Sequence, residues 1–482
     1  MPTLPYDVLR PIITRERLSR SALCSLCLVS REFYGLANPR LFHTVAFSSI
    51  QLHQLHLFLQ AITVDLILAR NVVSLSIDTK LVTHATMRIF IDALPGLQML
   101  HHLYCRSVAQ CIQYDVRTID YIAALPRLES FHILIPGYST SAEERLLDRL
   151  SAMKHIRIDN SGSNVYRAGS SSLGRLLSRS KDTLEKLELV ETDQSISVLA
   201  DPHYPWSQVE ELTVSMITSR SSARSFPNVR RLSVLSRKNA AIDVDALVDP
   251  TFFPHLTQLA VCTTGSVEGI SVKRDIRHLF VELTAPSFFP FLTLFNWGAF
   301  RSLHLSWTRR EPSGVLDTLH TVLEQCNHLR YLGFHSSESL HPDADVLPFL
   351  EVLNIPSGRY PASLRYIVLT VGHDKRQSQG QGRQSQGDFQ TTRAERGVAR
   401  GITRLFSSYP RLCHFQTTRG IRSEIWRKSG LDSPIGYVGA LGGDRVGGKV
   451  FFKFVDEEDA LTTNLDDVAR FIDLEESMES SV

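Results

Sequence analysis

The chain has 482 residues, more than one ordinary core encloses, so it must fold as several domains or as a repeat array. Its 43% hydrophobic and 21% charged residues are those of a soluble globular protein. The formal net charge of +2 hides an asymmetry: residues 456–482 carry ten acidic side chains and one basic, Arg470, a net of −9 that leaves +11 for the rest. That excess is dispersed in pairs such as Arg230-Arg231 and Arg309-Arg310. Nucleic-acid binding calls for a concentrated stripe, so no nucleic-acid partner is expected.

In chain order, the first element spans Leu4 to Phe42. Val8, Leu9, Ile12 and Ile13 recur at helical spacing, and Leu23, Leu26 and Cys27 follow at i, i+3, i+4. Pro5 suits a first helical turn, and Pro39 is expected to stop the last one. Some forty residues bury little surface alone, so such a module docks onto something. Leu4-Pro5, Val8-Leu9, Ile12, Leu23, Leu26, Val29-Ser30-Arg31 and Phe33 closely resemble an F-box, with Leu36-Ala37 and Leu41-Phe42 continuing the look of fungal members. The resemblance implies that an Skp-type adaptor, and through it a cullin, is a partner. The adaptor face would comprise Leu4, Pro5, Val8, Leu9, Ile12 and Val29, supported by Leu26 and Phe33. A generic helical cap on the following domain is the alternative.

Behind this module a unit of the form apolar-x-x-Leu-x-apolar recurs. It occurs as Val72-x-x-Leu75-x-Ile77, Leu128-x-x-Phe131-x-Ile133, Met153-x-x-Ile156-x-Ile158 and Leu184-x-x-Leu187-x-Leu189. It continues through the units centred on Leu212, Leu232, Leu259, Leu279, Leu303, Leu332, Leu353 and Ile367, with partial copies at Leu97-x-x-Leu100 and Leu412-x-x-Phe415. From Leu187 to Leu353 the steps are 25, 20, 27, 20, 24, 29 and 21 residues. The closing alternation is strand period, and the leading apolar residue anchors the turn into the strand. One such strand cannot bury its face, but a parallel stack can. The spacing resembles leucine-rich repeats, although the Asn that closes the turn in that family is mostly missing. The expected fold is α/β: a small helical F-box-like module over 1–42, then an irregular leucine-rich-repeat-like solenoid with parallel strands over 43–420.

Helices are expected at Glu143–Met153 and Ser313–Cys326, the latter capped by Ser313, and a helical pattern returns over Arg400–Ser408. Residues 373–396 hold six Gln, three Gly and a duplicated Arg-Gln-Ser-Gln-Gly, a composition that cannot bury a core, so a disordered insert is expected. Residues 421–455 read as a C-terminal cap, with a hairpin over Ile435–Val455, and 456–482 as an acidic tail.

Several apparent motifs dissolve in context. Gly443 to Lys449 has the outline of a P-loop, but Val450 stands where Ser or Thr is needed and the sequence after it is strand-like. Cys24-x-x-Cys27 falls on a helix expected to be buried, with no second pair. His101-His102 and His53-x-x-His56 lack a third ligand, and no nucleophile elbow appears. No catalytic residue, metal or other cofactor is therefore expected. Seven scattered cysteines make no disulfide framework, there is no signal-peptide pattern, and Ala61–Ala69 is broken by Asp65 and too short for a bilayer. A cytoplasmic or nuclear setting and no membrane partner follow as expectations.

Together these readings suggest a non-enzymatic substrate receptor of an SCF-type ubiquitin ligase. The F-box-like module would bind the adaptor and the repeats a client protein. The alternative is a repeat scaffold without ubiquitin chemistry. Residues flanking the core leucines should line one face, and near the C-terminal end these are His278, Phe280, His304, Tyr331, His335 and Tyr366. Exposed aromatics and histidines there would suit a protein partner.

Overall fold

The computed structural model describes residues 10, 13, 18, 20–47, 51–77, 83–106, 108–135, 141–160, 172–190, 205–215, 224–235, 247, 249–263, 273–283, 291–307, 312–336, 347–353, 361, 363–371, 405, 409, 411–412, 414–419, 422–428, 435–440 and 472–473. They belong to two compact units, Met1–Val229 and Arg230–Val482. Both are built from parallel strands that neighbour each other in sequence order, a solenoid-like α/β arrangement.

In the first unit, helices α1 (Arg20–Cys27) and α2 (Arg31–Leu41) precede the sheet. Ser30 caps α2 by accepting from the Phe33 N–H at 3.2 Å. Pro39 does not stop α2, which runs on to Leu41. In the last turn a proline forfeits one bond, and the Phe42 N–H still reaches the Asn38 carbonyl at 3.1 Å. Strands β1 (Thr44–Phe47), β2 (Ser74–Ile77), β3 (His102–Cys105), β4 (Ser130–Ile135), β5 (His155–Asn160), β6 (Lys186–Val190) and β7 (Glu211–Val214) follow. Between them lie α3 (Leu52–Val64), α4 (Leu66–Arg70), α5 (His84–Ala93), α6 (Val108–Tyr114), α7 (Arg117–Ala123), α8 (Ser141–Arg149) and α9 (Ser172–Ser180). These helices pack on one another as a second layer, α3 on α5, α6 and α7 on α8, and α8 on α9. The core lies between the layers, and the expected positions Val72, Leu75, Ile77, Phe131, Ile156, Leu187 and Leu212 are buried in it. Leu189 is only half-buried; Val190 takes the buried place beside it.

The second unit repeats the scheme with β8 (Arg231–Leu235), β9 (Gln258–Thr263), β10 (His278–Leu283), β11 (Ser302–Trp307), β12 (Tyr331–Ser336), β13 (Tyr366–Val371) and β14 (His414–Arg419). Two antiparallel strands close it, β15 (Arg422–Lys428) on β14 and β16 (Ile435–Ala440) on β15. The second strand expected for the closing hairpin, at Lys449–Phe454, lies outside the described residues, as does the whole Gln-rich segment. Helix α10 (Pro312–Gln325) begins one residue before Ser313, so Ser313 is inside it and not its cap. Of the pattern over Arg400–Ser408, Leu405 alone is described, and it is buried.

One repeat assignment fails. Leu350 and Leu353 belong to helix α11 (Leu347–Leu353) and not to a strand. A spacing of i, i+3 fits a helical face as well as the anchor-to-strand step, and Pro348 sits comfortably in a first turn. The sheet continues from β12 directly to β13.

Backbone bonds tie successive repeats together at the strand starts. Just before β1 to β6 and β8 to β12 one carbonyl accepts two N–H groups from the next repeat. The Arg277 carbonyl takes Arg301 and Ser302 at 2.7 and 3.1 Å, and the Arg301 carbonyl takes Arg330 and Tyr331 at 2.8 and 3.1 Å. His101, Glu129, Lys154 and Glu185 do the same in the first unit. These pairings lock the register, which decides which side chains share a face.

Candidate binding surface

In β10 to β13, Leu279, Val281, Leu303, Leu332 and Ile367 enter the core, so the alternate residues form the opposite face. Register places His278 beside Ser302, Ser302 beside Tyr331 and Tyr331 beside Tyr366. The next row is Phe280, His304, Gly333 and Val368, and the third includes Glu282, Ser306 and His335. All six residues expected to line the client surface therefore share one face.

That face is not open, contrary to expectation. His278, His304 and Tyr331 are 1%, 2% and 1% exposed, while Phe280, His335 and Tyr366 are half-buried. Neighbouring strands cover part of it, and a short helical piece from the far end of the chain, Ile472-Asp473, covers His278 and Tyr331. Ile472 clusters with Tyr331 and Val368, with Tyr366 packed against them. Asp473 Oδ1 lies 3.1 Å from His278 Nε2, and His278 Nδ1 lies 2.8 Å from Ser302 Oγ. A carboxylate only accepts, so Nε2 donates to Asp473. Burial would raise the Asp473 pKa, but the His278 bond and then the charges of His278, Arg277 and Arg231 outweigh it and hold the carboxyl below its usual value.

His304 is the centre of a stack, 4.8 Å from the Phe280 ring and 6.4 Å from that of Tyr331, both nearly parallel. Its Nδ1 is 3.4 Å from Tyr331 Oη. Burial, then the charge of His335, pushes the His304 pKa down to about 3, and burial raises that of Tyr331. Gly333 makes this stack possible. A Cβ there would run into His304 Nδ1 and come within 2.8 Å of Tyr331 Oη. Gly333→Ala should therefore cost the second unit about 1–3 kcal/mol of stability, as overpacking does, measured by denaturant unfolding. An unchanged midpoint would mean that His304 swings aside freely.

The first unit carries a different surface on the corresponding face. Tyr104 and His132 stack at 3.9 Å, and His132 Nε2 donates to Asp159 Oδ2 at 2.8 Å. Arg157 joins Asp159 and Glu188 at 3.1 and 3.2 Å, and Lys186 joins Glu188 and Glu211 at 2.9 and 3.2 Å. Burial raises the Asp159 pKa, but the bonds from His132 and Arg157 hold it below the usual carboxylate value. No motif in the sequence marks this lattice. The same flanking-position rule that gave His278 and Phe280 points to it.

In the N-terminal module, Ile13, Leu23 and Ala37 form a small core, with Leu26, Phe33, Leu36 and Leu41 partly buried against it. The Arg40 guanidinium donates to the Ile13 carbonyl. Leu28 and Val29, in the turn between α1 and α2, are 89% and 66% exposed. Leu26 and Phe33 are thus partly buried while Val29 is exposed. Leu4, Pro5, Val8, Leu9 and Ile12 lie outside the described residues. Cys24 is exposed and Cys27 half-buried, correcting the expectation that both are core side chains. The apolar stripe of α1 faces Ile13 and Ala37, which leaves Cys24 on its outer side.

Among the described residues, no group of three or more His, Cys, Asp or Glu is placed to hold a metal ion, and no helix is long and apolar enough to cross a membrane. No protein-family model matches the chain, and no curated protein matches it.

Proposed function

We propose that this chain is the substrate receptor of an SCF-type cullin–RING ubiquitin ligase. Its N-terminal module docks an Skp-type adaptor, and its repeat sheet holds a client protein. The receptor contributes no reacting group. It raises the effective concentration of client lysines at the conjugating enzyme. One observation carries the adaptor half of the reading: two large aliphatic side chains, Leu28 and Val29, stand in solvent on a helix pair with its own small core. An exposed aliphatic turn on a small rigid support is the form of a docking point.

The scaffold alternative draws on Phe42, whose ring stacks 6.2 Å from Phe58 of α3 and ties the module to the first helix of the repeats. Adaptor capture separates the two readings. Burying a large aliphatic contributes about 1.5–3 kcal/mol, so Leu28→Asp with Val29→Asp should weaken capture of an Skp-type adaptor by roughly a hundredfold or more. Both residues are exposed, so the melting temperature should not move. Failure of the native chain to capture any adaptor would leave the scaffold reading standing.

A further inference from the structure

The segment seated on the second unit's sheet face, Ile472-Asp473, is chemically matched to it. Four of the five carbonyls that accept such paired N–H groups in that unit belong to arginines, Arg230, Arg277, Arg301 and Arg330, and Arg365 holds the same place before β13. Adjacent strands lie about 4.8 Å apart, so these residues form a cationic row along one end of the strands. Arg231 stands at the head of β8, level in register with Gln258 and then His278. Beside the row lies the apolar patch of Tyr331, Tyr366 and Val368. The segment seated there, Ile472-Asp473, comes from a stretch with a net charge of −9. Ile472 is fully buried in the patch, and the carboxylate of Asp473 reaches His278 in the field of Arg231 and Arg277.

We propose that this face is a docking site for an acidic peptide segment with an aliphatic anchor, and that the chain's own Ile472-Asp473 occupies it as a tethered competitor. The anchor enters the Tyr331–Val368 patch. The carboxylate that follows is taken by His278 and the neighbouring arginines. A tethered ligand acts at an effective concentration in the millimolar range, so only a partner presenting the same chemistry more strongly displaces it. Taking that partner to be the client rests on the receptor reading. Peptide binding is read at Tyr331 and His278, and adaptor capture at Leu28 and Val29, so either can fail alone.

The test uses the full chain and a fluorescent synthetic peptide of residues 456–482. Ile472→Glu in the chain removes the tethered anchor and should raise affinity for the added peptide at least about tenfold over the native chain, as expected for one aliphatic anchor. The same substitution in the peptide should abolish binding, and adding His278→Ala to the Ile472→Glu chain should reduce it about tenfold. Asp473 is half exposed, so Asp473→Asn in the chain frees the face without disturbing its packing and should give an intermediate gain. That variant decides the matter if Ile472→Glu does not fold. No gain over the native chain, or equal binding of the native and substituted peptides, overturns the proposal. So does displacement of the peptide by a single-stranded oligonucleotide as readily as by unlabelled peptide, which would make the face a general polyanion site.

Discussion

Arg274→Leu should destabilise the second unit by about 3–5 kcal/mol, the range for a buried polar group whose partners lose it. Arg274 is 4% exposed, and Nη1 donates to the carbonyls of Leu247 and Asp249 at 3.1 and 3.2 Å. Nη2 donates to the Phe253 carbonyl. The backbone of Arg274 also bonds Leu294 and Asn296, at 3.1 and 2.9 Å. One side chain thus satisfies carbonyls of the preceding turn while its main chain holds the following one. Burial pulls its pKa down to about 10, with the Asp249 charge acting the other way, so it stays protonated at neutral pH. Leucine fills much of the volume and leaves those carbonyls unpaired. Arg274→Lys, which regains part of the bonding, should lie between. Denaturant unfolding of the three proteins gives the order, and a loss below about 1 kcal/mol for leucine would mean that water replaces the guanidinium.

The second large effect is in acid. His304 titrates at about 3 in the folded chain, because burial and then the charge of His335 disfavour its cation. Its unfolded value is about 6.5, so the unfolded chain takes up the extra proton between these two values. Stability from the neutral ring is complete above about pH 6.5 and is lost as pH falls toward 3, by up to about 1.4 kcal/mol per pH unit. Burial lowers the His335 pKa in the same sense, opposed by Glu282. Asp473 acts in a lower window: its depressed pKa gives stability above the ordinary aspartate value that is lost as pH falls through the folded one. His304→Phe keeps a flat ring between Phe280 and Tyr331 and cannot take up a proton. It should remove about 2 kcal/mol of the loss between pH 6.5 and pH 5. Identical acid slopes for the two proteins would show that His304 reaches solvent before the unit unfolds.

Much of the sheet was legible because a strand buries every second residue. Leu75, Ile77, Leu279, Val281, Leu303 and Leu305 were placed by that alternation alone. Where one pattern fits two structures, sequence does not choose between them. Leu350 and Leu353 satisfy the repeat and a helix equally. At β3 the partial copy Leu97-x-x-Leu100 was aligned three residues early. The working unit is Leu100-x-x-Leu103-x-Cys105, closed by a small thiol in place of a branched aliphatic. Strand β1, with Val45 and Phe47 buried, was hidden beside the F-box-like run. The face of the second unit was legible as a set of residues, since register follows from repeat spacing. Its burial was not, because the covering side chain, Ile472, lies more than a hundred positions beyond the nearest strand residue it touches. No local pattern carries such information.

That distance also has a meaning in time. His278 and Asp473 are separated by 195 residues, whereas the strand pairs join successive repeats. Chains emerge from the ribosome at about 5–20 residues per second, with N-terminal parts free to fold first. The row from His278 to Tyr366 can therefore assemble while its cover is still being made, and the completed face stands bare for roughly 5–20 s between the addition of Val371 and that of Asp473. A partner present at the site of synthesis would meet bare a surface that Ile472 and Asp473 cover in the finished protein.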